Sequence, residues 1–173
     1  SGDDYLYGGG GNDVLKSGAG DDFIDGGAGD DILILNGSGT QAFDGGDGID
    51  TFKLDHTSFT TNLNSDYEQV VEIDLINGIS GQKGNDTLQD SLINIENIKY
   101  KGSTDVEMTG DSNDNIITSH HGNDIINAGD GNDFINSGDG TDIITTGNGL
   151  DTIVIKPGHV NDTLNTADRI TDF

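Results

Sequence analysis

Aspartate returns on a fixed beat in two parts of this chain. Asp4, Asp13, Asp22 and Asp31 are nine residues apart, and Asp50 follows after one longer step. Asp124, Asp133, Asp142 and Asp151 repeat the nine-residue interval further on, with Asn115 one step before them. Each Asp closes a glycine-rich loop. Gly8, Gly9 and Gly11 precede Asp13; Gly18 and Gly20 precede Asp22; Gly26, Gly27 and Gly29 precede Asp31; Gly45, Gly46 and Gly48 precede Asp50. In the second run Gly122 precedes Asp124, Gly129 and Gly131 precede Asp133, Gly138 and Gly140 precede Asp142, and Gly147 and Gly149 precede Asp151. Carboxylates joined to loops that can turn carbonyls inward offer an all-oxygen shell. That shell suits a hard divalent cation with six to eight ligands, Ca²⁺ rather than Mg²⁺, which holds its water. There is no Cys, and the His residues do not recur with the beat, so thiolate and imidazole metals fit poorly.

The elements that would position these groups follow from the rest of the nonapeptide. Its form is Gly-Gly-x-Gly-x-Asp-x-U-x, where U is a large apolar residue: Leu6, Leu15, Ile24, Leu33, Phe43 and Phe52 in the first run, Ile117, Ile126, Ile135, Ile144 and Ile153 in the second. Glycine supplies the tight loop, and x-U-x is a short strand with one side chain inward. One such loop alone would be only a polar turn. Tandem copies in register resemble the RTX (repeats-in-toxin) family of calcium-binding nonapeptide repeats. The resemblance implies an all-β fold, a right-handed parallel β-roll or β-solenoid with two nonapeptides per turn, so loops eighteen residues apart stack. It implies several Ca²⁺ ions held between sixth-position residues of stacked loops.

On that reading the pairs Asp4–Asp22, Asp13–Asp31, Asp31–Asp50, Asp124–Asp142 and Asp133–Asp151 are complete. A one-residue insertion near Leu35 separates Asp31 from Gln41 by ten residues. Gln41 stands where Asp is expected, so a site shared with Asp22 should be weak or empty. Asn115–Asp133 lacks one charge and should be weaker. Residues 1–54 form the first array and 110–154 the second. Residues 55–109 form an irregular β connector that continues the solenoid, with a separate small β-domain as the alternative. Its elements are a strand at Val70–Leu75, a turn at Asn77-Gly78, a half repeat at 84–88 and a strand at Leu92–Ile98. Leu88, Ile98, Met108 and Ile117 extend the apolar row. Val106 falls where a last connector turn would need its Asp, so no site is expected there. Residues 155–173 form a capping stretch, whose Asp168–Phe173 ending resembles the stretch that closes RTX arrays; Arg169 either pairs with an acidic loop or faces solvent. His56 and Tyr67 line either a ligand cleft or plain loop surface. His120 and His121 are either a metal pair or exposed loop residues.

Acidic residues number 32 against 7 basic, for a formal net charge of −25, and all but Glu68, Glu72, Glu96 and Glu107 of the acids are Asp. That charge excludes a basic nucleic-acid face and a polybasic membrane patch. With 31 % hydrophobic residues and no Trp, the chain has nearly the composition of a disordered one. It should therefore be largely unfolded without cation and fold on binding it. Seven candidate sites would add roughly +14 to the net charge at two charges per Ca²⁺, removing over half of the self-repulsion. No membrane-spanning run or signal peptide is read, and the opening Ser1–Tyr7 looks like the tail of a nonapeptide, so a piece of a longer RTX chain is expected. No His-Glu-x-x-His or Gly-x-Ser-x-Gly motif points to catalysis. The function expected is a non-enzymatic, calcium-binding module of a secreted or cell-surface RTX protein, an adhesin or cytolysin, that folds outside the cell and supports type I secretion. Its partners would be calcium, the rest of the RTX chain and the type I secretion machinery, with no nucleic acid and no membrane insertion by this segment. Two alternatives are an accessory domain of a secreted protease, lipase or alginate epimerase, and an ice- or glycan-binding solenoid. The outward positions beside U vary too much for a regular ice face.

Overall fold

The structure is a computed structural model and describes residues 1–55, 70–82, 89–154 and 169–171. Among these residues there are strands and turns but no helix. Short x-U-x segments explain why: three or four residues between glycine-rich loops are too few for a helix to nucleate. The strands form two sheets. One has ten strands in the order β1-β3-β5-β9-β8-β7-β11-β13-β15-β17, the other seven in the order β16-β14-β12-β10-β6-β4-β2.

The chain alternates between the sheets, so each pair of nonapeptides makes one turn. In the first array β1 (Tyr5–Gly10), β3 (Phe23–Ala28) and β5 (Ala42–Asp47) lie in one sheet, with β2 (Val14–Lys16), β4 (Ile32–Leu35) and β6 (Thr51–Leu54) opposite. Leu6 pairs with Ile24 and Leu15 with Leu33, eighteen residues apart in parallel register. One turn later the step is nineteen, Ile24 with Phe43 and Leu33 with Phe52. The extra residue is absorbed at the end of β4, where Leu35 is also buried. The second array, β12 (Ile116–Thr118), β13 (Ile125–Asn127), β14 (Phe134–Asn136), β15 (Ile143–Thr145) and β16 (Thr152–Val154), holds the eighteen-residue step throughout. The U residues of both sheets face each other in a single ladder, and Phe43 meets Phe52 edge-on at 5.2 Å between ring centres. Each buried U side chain contributes roughly 1.5–3 kcal/mol.

The connector carries the solenoid through and also widens one side of it. β9 (Gln89–Ile93) pairs in parallel with β5, and β10 (Asn97–Tyr100) pairs in parallel with both β6 and β12. The expected strand at Leu92–Ile98 is thus two strands on opposite sheets. Asn94, at φ 51°, turns the corner between them. Leu92, not Leu88, takes the inward place beside Phe43; Leu88 lies outside the described residues, as does the half repeat at 84–88. β7 (Val71–Asp74) and β8 (Ile79–Gln82) form an antiparallel hairpin around the Asn77-Gly78 turn, inserted between β9 and β11 (Val106–Thr109). Among the described residues these two strands have no counterpart in the other sheet. At about 4.8 Å per strand, one side of the solenoid is therefore about 10 Å longer than the other at this level. Among the described residues of the closing stretch, Arg169–Ile170 (β17) adds a strand beside β15. His56, Tyr67 and residues 155–168 and 172–173 lie outside the described residues.

Candidate metal centre

Every corner of the solenoid brings a sixth-position side chain to the same place. Along one edge run Asp13, Asp31, Asp50, Glu96, Asn115, Asp133 and Asp151; along the other run Asp4, Asp22, Gln41 and Asp90, then Val106, Asp124 and Asp142. Within each array the backbone N–H at this position donates to the side chain one turn further on, whereas Glu96 N donates back to Asp50 O at 3.2 Å. Asp4 N reaches Asp22 Oδ1 at 2.9 Å, Asp13 N reaches Asp31 Oδ1 at 2.7 Å and Asp31 N reaches Asp50 Oδ1 at 2.7 Å. In the second array Asn115 N reaches Asp133 Oδ1 at 2.8 Å, Asp124 N reaches Asp142 Oδ1 at 2.9 Å and Asp133 N reaches Asp151 Oδ1 at 3.0 Å. All the pairs read from the sequence are thus stacked.

This ladder uses one oxygen of each carboxylate. The second oxygen, Oδ2, is buried without a hydrogen-bond partner at Asp13, Asp22, Asp31, Asp50 and Asp133. A buried carboxylate oxygen with no donor is costly, and such a row calls for a cation. Carbonyl oxygens point at the same spaces. A methyl group on Gly8 would press on Gly26 O and lie 2.9 Å from Asp13 Oδ2; one on Gly26 would press on Asp31 Oδ2 and lie 2.5 Å from Gly45 O. First-position glycine therefore keeps open a cradle lined by a carboxylate of its own loop and a carbonyl of the next. Second- and fourth-position glycines have a different reason. Gly27, at φ 100°, has Gly9 O directly against its Cα face, and Gly29, at φ 126°, has Gly11 O. The left-handed backbone and the stacked carbonyl both exclude a side chain there.

Burial is the leading cause that pushes the ion-free carboxylates up, Asp50 to about 6 and Asp124 to about 7, with Asp133 raised as well. Accepted N–H groups pull the other way, and neighbouring carboxylates add to the rise. The donor set is hard oxygen throughout. No cluster of three or more His, Cys, Asp or Glu side chains occurs among the described residues, so a shell here depends on main-chain carbonyls. These residues fit Ca²⁺, which accepts mixed carboxylate and carbonyl shells.

Individual corners differ. Gln41 Oε1 accepts Asp22 N at 3.1 Å, and its Nε2 is buried without a partner. A donor group cannot ligate a cation, which is the physical reason for a weak site there. Asn115 accepts Asp111 N at 2.9 Å through Oδ1 and donates to Glu96 O at 2.7 Å through Nδ2. At Asp124 the second oxygen accepts the Ser119 hydroxyl. Val106 presents only its N–H, which donates to Asp124 Oδ1 at 3.0 Å. His120 and His121 are exposed loop neighbours with ring centres 4.0 Å apart, and His121 Nδ1 lies 3.2 Å from Asp139 Oδ2.

Two sets of residues escaped the sequence reading. Asp90 and Glu96 hold sixth positions in the connector: Gln41 N donates to Asp90 Oδ1 at 2.8 Å and Asp50 N to Glu96 Oε2 at 2.7 Å. The signal was the spacing itself, since Leu92 and Ile98 follow them by two. The second set is the fifth position, which runs a ladder in the opposite sense. Asp3, Asn12, Asp21 and Asp30, then Asp105, Asp114, Asn123 and Asn132, each accept the fifth-position N–H of the following turn at 2.7–3.1 Å. The last donors are Thr40, Ile49, Thr141 and Leu150. Asp and Asn stop where no further turn uses them.

A parallel β-solenoid with corners of stacked carboxylate and glycine carbonyl is a cation-binding repeat protein. Residues 1–33, 108–144 and 121–153 match the model of the RTX calcium-binding nonapeptide repeat. Those stretches are repeats of that family, and the repeat module is a structural calcium-binding β-roll. No curated protein matches the chain. RTX repeat proteins are typically secreted.

Proposed function

We propose that this chain is a calcium-dependent folding module of a secreted RTX protein, an adhesin or cytolysin. Two arrays, 1–54 and 110–154, are joined by 55–109 and closed by 155–173. The observation that supports this reading is the row of buried, unpartnered Oδ2 atoms facing carbonyl-lined cradles. Asp4, Asp13, Asp22, Asp31, Asp50, Asp124, Asp133, Asp142 and Asp151 supply carboxylate oxygens, with Asn115 as a neutral member, and the loop glycines supply carbonyls and room. Submicromolar calcium inside a cell leaves weak sites of this type empty, whereas extracellular calcium fills sites with Kd around 10⁻⁴–10⁻³ M. The chain passes an export channel unfolded and folds outside, and folding of the emerged turns draws the rest outward. Its role is non-catalytic, and any catalysis belongs to other parts of the parent protein. The test is far-UV circular dichroism from EDTA into Ca²⁺, with Mg²⁺ as the comparison. A cooperative coil-to-β transition at submillimolar to millimolar Ca²⁺, absent with Mg²⁺, is expected. A β spectrum unchanged by EDTA contradicts the proposal.

A further inference from the structure

The connector contains a disguised half repeat. Asn94-Ile95-Glu96-Asn97-Ile98 follows the pattern Gly-x-Asp-x-U with Asn for Gly and Glu for Asp. The backbone treats it so. Asn94 has a positive φ of 51°, where the fourth-position glycines of the arrays lie at larger positive values such as 126° at Gly29 and 151° at Gly48, and its carbonyl takes the place over Gly45 that the Gly45 carbonyl takes over Gly26. Ile98 enters the inward row between Phe52 and Ile117. Glu96 Oε2 accepts Asp50 N at 2.7 Å, the bond that Asp31 and Asp50 accept in the array below at the same length. The cradle is present too. Asp50 is 0 % exposed and its Oδ2 has no hydrogen-bond partner. A methyl group on Gly45 would press on Asn94 O and lie 2.6 Å from Asp50 Oδ2, as one on Gly26 would meet Gly45 O and Asp31 Oδ2.

We propose that Asp50 and Glu96, with the carbonyl of Asn94, hold a further Ca²⁺ at the junction of the first array and the connector. Glu96 lies outside the stretches that match the nonapeptide family. The inference rests on the calcium reading of the arrays and extends it to a corner built without the motif. Its consequence is mechanical. Glu96 O also accepts Asn115 Nδ2 at 2.7 Å, so the corner that binds this ion is gripped by the first loop of the second array. The ion joins the two arrays along one edge, whereas the other edge is parted by β7 and β8.

The experiment is a count of bound Ca²⁺ on the whole chain by equilibrium dialysis, for the natural sequence, Glu96→Gln and Glu96→Asp. Gln preserves the acceptor for Asp50 N and removes the charge; Asp restores the residue of the repeat. The expected result is one ion fewer, or one site weakened at least tenfold, in Glu96→Gln, with the full count in Glu96→Asp. An unchanged count and affinity in Glu96→Gln overturns the inference. If the natural chain binds no calcium, the reading of the arrays fails first, and the two failures are distinct. Crystals of the natural chain grown in calcium give a test independent of any variant's folding. Anomalous density at about 2.3–2.6 Å from Asp50 and Glu96 oxygens supports the site; its absence while array corners are filled overturns it.

Discussion

Asp31 stands in two stacked pairs, with Asp13 behind it and Asp50 ahead, whereas Asp4 stands in one. Asp31→Asn keeps the acceptor for Asp13 N and removes a carboxylate from both neighbouring cradles. It is expected to weaken calcium affinity at two sites, and Asp4→Asn at one; calcium titration of the two variants checks this, and equal losses contradict the shared-ligand geometry. Gly27→Ala is a test of a different kind. Its φ of 100° and the Gly9 carbonyl against its Cα leave no place for a methyl group. The expected cost is about 1–3 kcal/mol, the scale of strain for a non-glycine residue in that region, read from the melting of the calcium-loaded protein. Ala19→Gly, at a third position, should change little.

At the scale of the element, two opposed ladders tie each turn to the next. The sixth-position side chain accepts from the turn before it, and the fifth-position side chain from the turn after it. Asp21→Ala removes the acceptor of Thr40 N and is expected to cost about 1 kcal/mol, the usual net value of one such bond. Thr40→Ala, at the end of the ladder, should cost nothing measurable beyond its side chain; denaturant melts of both in saturating calcium decide. The sequence made the sixth-position ladder plain because Asp is nearly invariant there. It hid the fifth because Asp and Asn share that position with Thr40, Ile49, Thr141 and Leu150. The connector was read in part. The strand expected at Val70–Leu75, which spans Val71–Asp74, and the Asn77-Gly78 turn are legible from alternation and turn chemistry. The split at Asn94 is not, since Leu92 through Ile98 is over half apolar and has no glycine to mark a corner. The place of the β7–β8 hairpin between β9 and β11 depends on pairing between distant segments, which periodicity does not report.

For the whole molecule, the ion-free state is governed by buried carboxylates. Asp90 shows the effect without belonging to a proposed site: its oxygens accept Gln41 N at 2.8 Å and Ser80 Oγ at 3.1 Å, yet burial still pushes it to about 7. A carboxyl raised in the fold binds its proton more tightly folded than unfolded. Its stabilising contribution is full below about pH 4 and is lost as pH rises through about 7. In EDTA the coil of neutral pH should therefore gain β structure as pH falls from 7 toward 4, and Asp90→Asn should lessen that dependence; far-UV circular dichroism in EDTA at several pH values measures it. Net charge also conceals local order. Lys53, Lys99 and Lys101 share a groove of about 540 Å³ on the outer face of the seven-stranded sheet, and no carboxylate lines it. Calcium acts on the carboxylate edges. Hydrogen exchange of the whole chain, with and without calcium, addresses them most directly, because it reads each turn separately. With calcium, the sixth-position amides of Asp13, Asp31, Asn115 and Asp133 should be protected together. In EDTA both arrays should exchange at near-unfolded rates. Protection that survives EDTA unchanged along both arrays would contradict the claim that calcium holds this fold.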